Sequence, residues 1–283
     1  MSPAGFFTIT RPANAVAAGF AAIVAYLIAT GLLIPSVLYL FIVVTFATAG
    51  GNVINDYFDA EIDAINRPDR PIPAGAVRRS TALSFSITLF LACILVSLFT
   101  NPLCIVIAVF NCLLLVGYAA RLKSTPFFGN MAVSYLASSM FLFGGALAGI
   151  TGLVHVIPVA VITFFAMLAR ELLKDAEDIE GDREHGASTL PIRIGVRRTA
   201  QYALIFAVLA VIASFIPYLW WGIVYVAGIV IVDGIILFAA IRAVSCETPA
   251  CVRNSGASLL LKTGFFVSLI VFTLCAVFLQ KPL

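Results

Sequence analysis

Two stretches of this sequence combine carboxylates and amides at spacings that gather them on one side of a helix. The first is Asn52-x2-Asn55-Asp56-x2-Asp59-x3-Asp63, and the second is Glu171-x2-Lys174-Asp175-x2-Asp178-x3-Asp182. At about 100° per residue each set falls within about 100° of arc, and Asp59/Asp63 and Asp178/Asp182 are i,i+4 pairs on one face. Like charges at that spacing destabilise a helix by roughly 0.2–0.5 kcal/mol per pair. Desolvation adds to this where the helix lies at the edge of apolar surroundings. Something cationic must offset it. Carboxylates with Asn, and no Cys or His at ligand spacing, select a hard oxygen-seeking ion such as Mg²⁺. Magnesium keeps several waters and binds through one or two carboxylates plus substrate phosphates. Two such clusters facing one another would make a diphosphate clamp. A single DxxxD is usually a solvated helix end; two in register, both beginning inside apolar runs, argue against that here.

Cationic partners surround the clusters. Asn66-Arg67-Pro68-Asp69-Arg70-Pro71-Ile72-Pro73 is a rigid basic stretch, Tyr118-x2-Arg121-x-Lys123 follows the fourth apolar run, and Lys174 projects from within the second cluster. Arg binds phosphate oxygens as a fork and Lys as a point charge. Each serves equally well as a positive-inside anchor.

The elements that must position these residues follow from composition. Of 283 residues, 62% are hydrophobic and only 11% charged, against roughly 25% charged in a soluble domain. The chain is predicted to be an all-α membrane protein. Apolar runs of about 20 residues predict nine spans near 13–33, 36–56, 81–99, 103–120, 131–149, 154–173, 199–216, 222–244 and 259–280. Pro35, Asn101-Pro102, Gly149 to Gly152 and Pro217 mark short turns between them. The start lacks the charged n-region of a cleavable signal peptide. The six cysteines show no CxxC spacing and read as inert buried thiols.

Every Lys and Arg except Lys281 falls in or beside the N-terminus and the connections 2–3, 4–5, 6–7 and 8–9. With nine spans these regions share one face, which the positive-inside rule makes cytoplasmic. The N-terminus and both clusters are then inside and the C-terminus outside. Every acid except Asp233 follows the same segregation. Asp233, inside span eight, is expected to face the protein interior or to be protonated, in a structural role.

Sliding the chain so that Asn52 lies over Glu171 also brings Val77-Arg78-Arg79-Ser80 over Val196-Arg197-Arg198-Thr199. Ser80 and Thr199 are each expected to cap the next helix. Two four-helix pseudo-repeats follow, about 11–121 and 130–244, with an extra helix over 259–280, all in one domain. An even number of helices per unit makes the repeat parallel, so the clusters are expected to face each other across an axis along the membrane normal.

These residues carry a resemblance. Asn55-Asp56-x2-Asp59-x3-Asp63, Asn66-Arg67-Pro68-x-Arg70-Pro71-x-Pro73 and Asp178-x3-Asp182 resemble the two aspartate-rich motifs of the UbiA superfamily of membrane prenyltransferases, over the whole chain. The run from Ala169 to Asp182 is similar to that of archaeal digeranylgeranylglyceryl phosphate synthases. The resemblance implies a UbiA-type arrangement of nine helices. It implies transfer of a geranylgeranyl group from geranylgeranyl diphosphate to the glycerol hydroxyl of geranylgeranylglyceryl phosphate. Asn55, Asp59, Asp63, Asp178 and Asp182 would hold Mg²⁺, as two ions bridging the donor diphosphate, with Asp56 and Asp175 in support. Lys174 stands where aromatic-ring prenylating relatives often have Tyr, and suits an acceptor that carries phosphate. Arg11, Asn14, Asn52, Arg67, Arg70, Tyr118, Arg121 and Lys123 are candidate substrate contacts. Apolar and aromatic walls would keep water from an allylic cation.

Two other readings stand beside this one. An aromatic, quinone-precursor prenyltransferase shares the motifs and differs in acceptor. A cation transporter would need acids near the bilayer midplane with access to both faces. Haem O synthase is a further relative, disfavoured because the histidines are His155, on the outer face, and His185. Nucleic-acid binding has no support beyond the basic loops.

Overall fold

The computed structural model describes residues 2–184 and 186–279, apart from the side chains of Asn66 and Glu184. His185 and Lys281, both weighed above, and the Asn66 side chain of the basic stretch lie outside the described residues. Among the described residues every regular element is helical: α1 (Pro3–Ile9), α2 (Pro12–Thr30), α3 (Val37–Phe58), α4 (Ala60–Asn66), α5 (Arg79–Ser97), α6 (Pro102–Ala120), α7 (Phe128–Leu147), α8 (Gly149–Glu184), α9 (Leu190–Ile194), α10 (Val196–Ser214), α11 (Tyr218–Val244), α12 (Pro249–Ser255) and α13 (Ala257–Phe278). Nine of the described stretches are long and apolar enough to cross a membrane, with α12 and α13 counted as one. Large apolar side chains such as Leu98, Phe99, Leu113, Ile150, Leu219 and Ile223 stand exposed. In water so much exposed apolar surface would drive association; in lipid it is the expected outer face.

Several boundaries differ from the sequence reading. Helix α8 runs for 36 residues, well past the expected end at 173. Crossing the bilayer takes about 20 residues, so α8 carries its polar last turns as a continuous extension. The turn expected over Gly149 to Gly152 is confined to Ala148 and Gly149. Gly149 takes φ +79° just past α7, and Gly152 is already helical. Ser80 and Thr199 are not caps. The backbone enters its helix earlier, at Arg78 (ψ 142°) and at Gly195 (φ +87°), so both hydroxyls lie inside the first turns. The Thr199 hydroxyl donates to the Gly195 carbonyl at 2.9 Å.

The chain forms two compact units. In the first, residues 1–121 with 139–154, α3 packs against α2, α5 and α6. Helices approach at backbone contact: a Cβ at Gly144 would lie 2.2 Å from the Ala22 carbonyl oxygen, and one at Gly19 would lie 2.4 Å from the Thr45 hydroxyl. Such close small-residue packing replaces the hydrophobic effect, which vanishes between apolar helices in lipid. Asn101 caps α6 by accepting from the Cys104 N–H at 2.9 Å, and Ser86 donates to the Gly50 carbonyl at 2.9 Å.

In the second unit, residues 122–138 with 155–283, α11 packs against α10 and α13. Ala200, Ala203, Ala207 and Ala210 form the fully buried stripe of α10 at helical period. Tyr225 and Phe272 stack, with ring centroids 6.4 Å apart. Asp233 is buried and accepts from the Ser214 hydroxyl at 2.7 Å. That hydrogen bond ties the end of α10 to α11 and accounts for an acid at this depth, since an unpaired one would be costly there.

The uniform reading of the cysteines is corrected. Cys93, Cys104, Cys112 and Cys275 are free and buried, whereas Cys246 and Cys251 form a disulfide across the short connection from α11 to α12. Five residues of separation with no CxxC gave no signal, because pairing depends on how the connection folds back between two helices.

Candidate active site

The first cluster does not sit on one unbroken helix. Helix α3 ends at Phe58, Asp59 adopts φ −83° and ψ 0°, and α4 begins at Ala60. The i→i−4 hydrogen bonds nevertheless persist, from the Asp59 N–H to Asn55 at 2.9 Å and from the Asp63 N–H to Asp59 at 2.8 Å. The predicted face therefore survives with one loosened residue at its centre. The second cluster has no such break: α8 is continuous through Asp182.

Within the first cluster the residues divide into two sets. Asn52 and Asp56, one turn apart on α3, hold the N-terminal segment. The Asn52 amide donates to the Thr10 carbonyl at 2.9 Å, and Arg11 donates through Nη2 to Asp56 Oδ1 at 2.6 Å. Arg11 takes left-handed backbone angles (φ 49°, ψ 64°) between α1 and α2. A non-glycine residue there is strained by order 1–3 kcal/mol and persists where its surroundings hold it. The bond from Arg11 to Asp56 and the bond from Asn52 to the carbonyl of the preceding Thr10 hold this one.

The second set faces the proline-rich stretch. Arg70 Nη1 donates to Asp63 Oδ2 at 2.6 Å and to Asp56 Oδ1 at 3.2 Å. One guanidinium thus bridges two carboxylates whose side chains are only 5% and 6% exposed. Asn55 donates through Nδ2 to Asp59 Oδ2 at 2.8 Å. The stretch folds as successive turns, with the Ala74 N–H on Arg70 at 2.9 Å and the Val77 N–H on Pro71 at 2.9 Å. Ile72 and Val77 pack with Ile9, Val53 and Ala82. That small apolar cluster seats the turn that presents Arg70.

On α8, Asp175 is held by a residue the sequence reading missed. Asn130, buried in the first turn of α7, donates through Nδ2 to Asp175 Oδ2 at 2.7 Å. Glu171 is buried and pairs with the adjacent Arg170. Lys174 is half-buried and electrostatically coupled to Asp175. Asp178 and Asp182 are half-buried on the same side of the helix.

The remaining candidates are spread more widely. Arg67, Arg121 and Asn14 are exposed, and Tyr118 and Lys123 are half-buried. Arg11 and Arg70 pair with carboxylates through one guanidinium nitrogen each. With Asp56 and Asp63 buried beside them, this ion pairing offsets the desolvation cost of the two carboxylates.

The donor set suits a hard divalent ion. Oxygen is the only ligand type offered by Asn55, Asp59, Asp63, Asp178 and Asp182. Among the described residues no three acidic, His or Cys side chains converge into a ready-made cage. A magnesium–diphosphate site does not require one, since the phosphates and water complete the octahedron.

Comparison with known proteins shows what the whole chain is similar to. The model of the UbiA prenyltransferase family matches residues 18–270. A digeranylgeranylglyceryl phosphate synthase of Methanoregula boonei is 64% identical, over 99% of this chain and 100% of that protein. A solved structure concerning digeranylgeranylglyceryl phosphate synthase in membranes superposes with a TM-score of 0.81 at 34% identity, covering 96% of this chain and 98% of that one. A UbiA homolog from Archaeoglobus fulgidus, bound to GPP and Mg²⁺, shares the fold with a TM-score of 0.61 at 18% identity, over 93% of this chain and 99% of that one.

Proposed function

We propose that this chain, which belongs to the UbiA prenyltransferase family, is a multi-pass membrane prenyltransferase that moves a geranylgeranyl group from geranylgeranyl diphosphate to the glycerol hydroxyl of geranylgeranylglyceryl phosphate. The product carries the second ether bond of an archaeal membrane lipid. The observation that carries this reading is the full-length 64% identity to a protein named for that synthesis, with both aspartate motifs in place.

In this reading Asn55, Asp59, Asp63, Asp178 and Asp182 would supply oxygen ligands to Mg²⁺, two ions in all, on the donor diphosphate. When bound, the ions neutralise charge that accumulates on diphosphate as it leaves. The chain's own cations add to this. Lys174 lies within the second cluster, and Arg67, Arg121 and Lys123 offer further phosphate contacts. Arg11, Arg70, Asn52, Asp56, Asn130 and Asp175 hold the ligand-bearing turns in shape. The bond from C1 of the prenyl group to diphosphate oxygen breaks. A bond from C1 to the glycerol oxygen forms, and the hydroxyl proton leaves to diphosphate or a carboxylate. Apolar walls exclude water from the cationic carbon. The positive-inside rule sets this chemistry on the cytoplasmic face, with the N-terminus inside and the C-terminus outside.

The test offers labelled geranylgeranyl diphosphate to the purified protein with geranylgeranylglyceryl phosphate or with an aromatic carboxylic acid. Label is expected in the phosphoglycerol diether alone, and only with Mg²⁺ present. Transfer to the ring and not to glycerol would make the chain a quinone-precursor enzyme. Ion flux in proteoliposomes without diphosphate release would make it a transporter.

A further inference from the structure

Helix α8 presents Asp175, Asp178 and Asp182 on one side, and about 100° per residue turns Glu177 roughly 130° away from the centre of that fan. Glu177 is therefore on the back of the helix, and the structure gives that back two partners. Arg253, in α12, donates through Nη2 to the backbone carbonyl of Glu177 at 2.8 Å. Ser258, in the first turn of α13, donates through Oγ to Glu177 Oε2 at 2.9 Å. The two donors stand on either side of Gly256, whose φ of +65° makes the corner between α12 and α13. The chain enters α12 through the loop closed by Cys246 and Cys251, and Thr248 caps that helix by accepting from the Cys251 N–H at 3.3 Å.

A brace at this point answers a mechanical need. The last turns of α8 extend past the length a bilayer supports, and they carry like charges at i,i+4, which weaken an isolated helix. Partners behind a ligand-bearing turn fix its orientation, and losing such a partner typically costs 10–100-fold in metal affinity or activity.

We propose that Arg253 and Ser258 are positioning residues that set the second aspartate motif through Glu177, a role that rests on the metal–diphosphate reading of Asp178 and Asp182. Ser258→Ala and Arg253→Gln in the full-length, detergent-solubilised protein test it by two readouts. Metal-free hydrogen exchange should show faster amides over residues 177–184 in both variants. The Mg²⁺ concentration for half-maximal prenyl transfer should rise about tenfold or more. Ser258→Thr, which keeps the hydroxyl, should restore both. Unchanged exchange over 177–184, or faster exchange with an unchanged Mg²⁺ requirement, would overturn the proposal. Exchange needs no substrate. A parent chain without transfer activity would therefore sink the functional reading, while the exchange result still decides whether the brace exists.

Discussion

Asn130 stands to Asp175 as Arg11 stands to Asp56. Each pair is separated by 45 residues, and in each a residue at the start of one helix donates to an aspartate near the end of a later one, at 2.7 Å and 2.6 Å. The register that overlays the two acidic clusters also overlays the two donors. This supports the proposed duplication and marks Asp56 and Asp175 as the anchored members of their motifs. Asn130→Leu removes the side-chain donor to Asp175 and keeps the branched shape. An unsatisfied buried partner costs about 1–3 kcal/mol, so thermal unfolding in detergent should fall by that equivalent, with Asn130→Ser losing less.

Arg70 holds two buried carboxylates with one nitrogen. Truncation leaves Asp63 uncompensated, while Asp56 keeps Arg11, and breaking a buried pair costs about 3–5 kcal/mol. Arg70→Met should therefore destabilise the first unit more than Arg79→Met, whose partner Glu61 is exposed and whose pair contributes about 0–1 kcal/mol. Denaturation of the two variants side by side measures the difference.

Asp59→Ala and Asp178→Ala should each lower transfer by about 10²-fold or more, the scale of losing a group that stabilises charge in the transition state. Both should keep the parent elution profile and unfolding temperature. Full activity in either variant removes that residue from the site.

Chelation should abolish transfer, and Mg²⁺ should restore it. Ca²⁺ should restore it poorly, because it takes six to eight ligands at longer distances than an octahedral site on diphosphate allows. Titration of activity against each ion after chelation reads this directly.

Alkylation of the unfolded, unreduced protein should modify the four free cysteines, Cys93, Cys104, Cys112 and Cys275. All six should react after a dithiol reductant, since Cys246 and Cys251 are paired. The same connection is the one the positive-inside rule places in the cytoplasm, where disulfides are uncommon. Single-cysteine labelling at Thr248 from either side of sealed vesicles would therefore measure its sidedness. Labelling from outside alone would reverse the proposed orientation.

Composition and local pattern determined the nine apolar spans, the segregation of Lys and Arg, and the two aspartate motifs. These are properties of windows of about 20 residues or of one helical turn, and a membrane solvent leaves few structures for such windows to adopt. Tertiary structure decided which carboxylates are held by the chain itself. Asp56 is given to Arg11 and Arg70, Asp63 to Arg70, Asp175 to Asn130 and Glu177 to Ser258. Most of these bonds join distant parts of the chain, over separations of up to 81 residues. No local periodicity reports them. The same holds for the loosened turn at Asp59 and for the Cys246–Cys251 bond, which depend on what packs against the backbone as well as on the residues that form it.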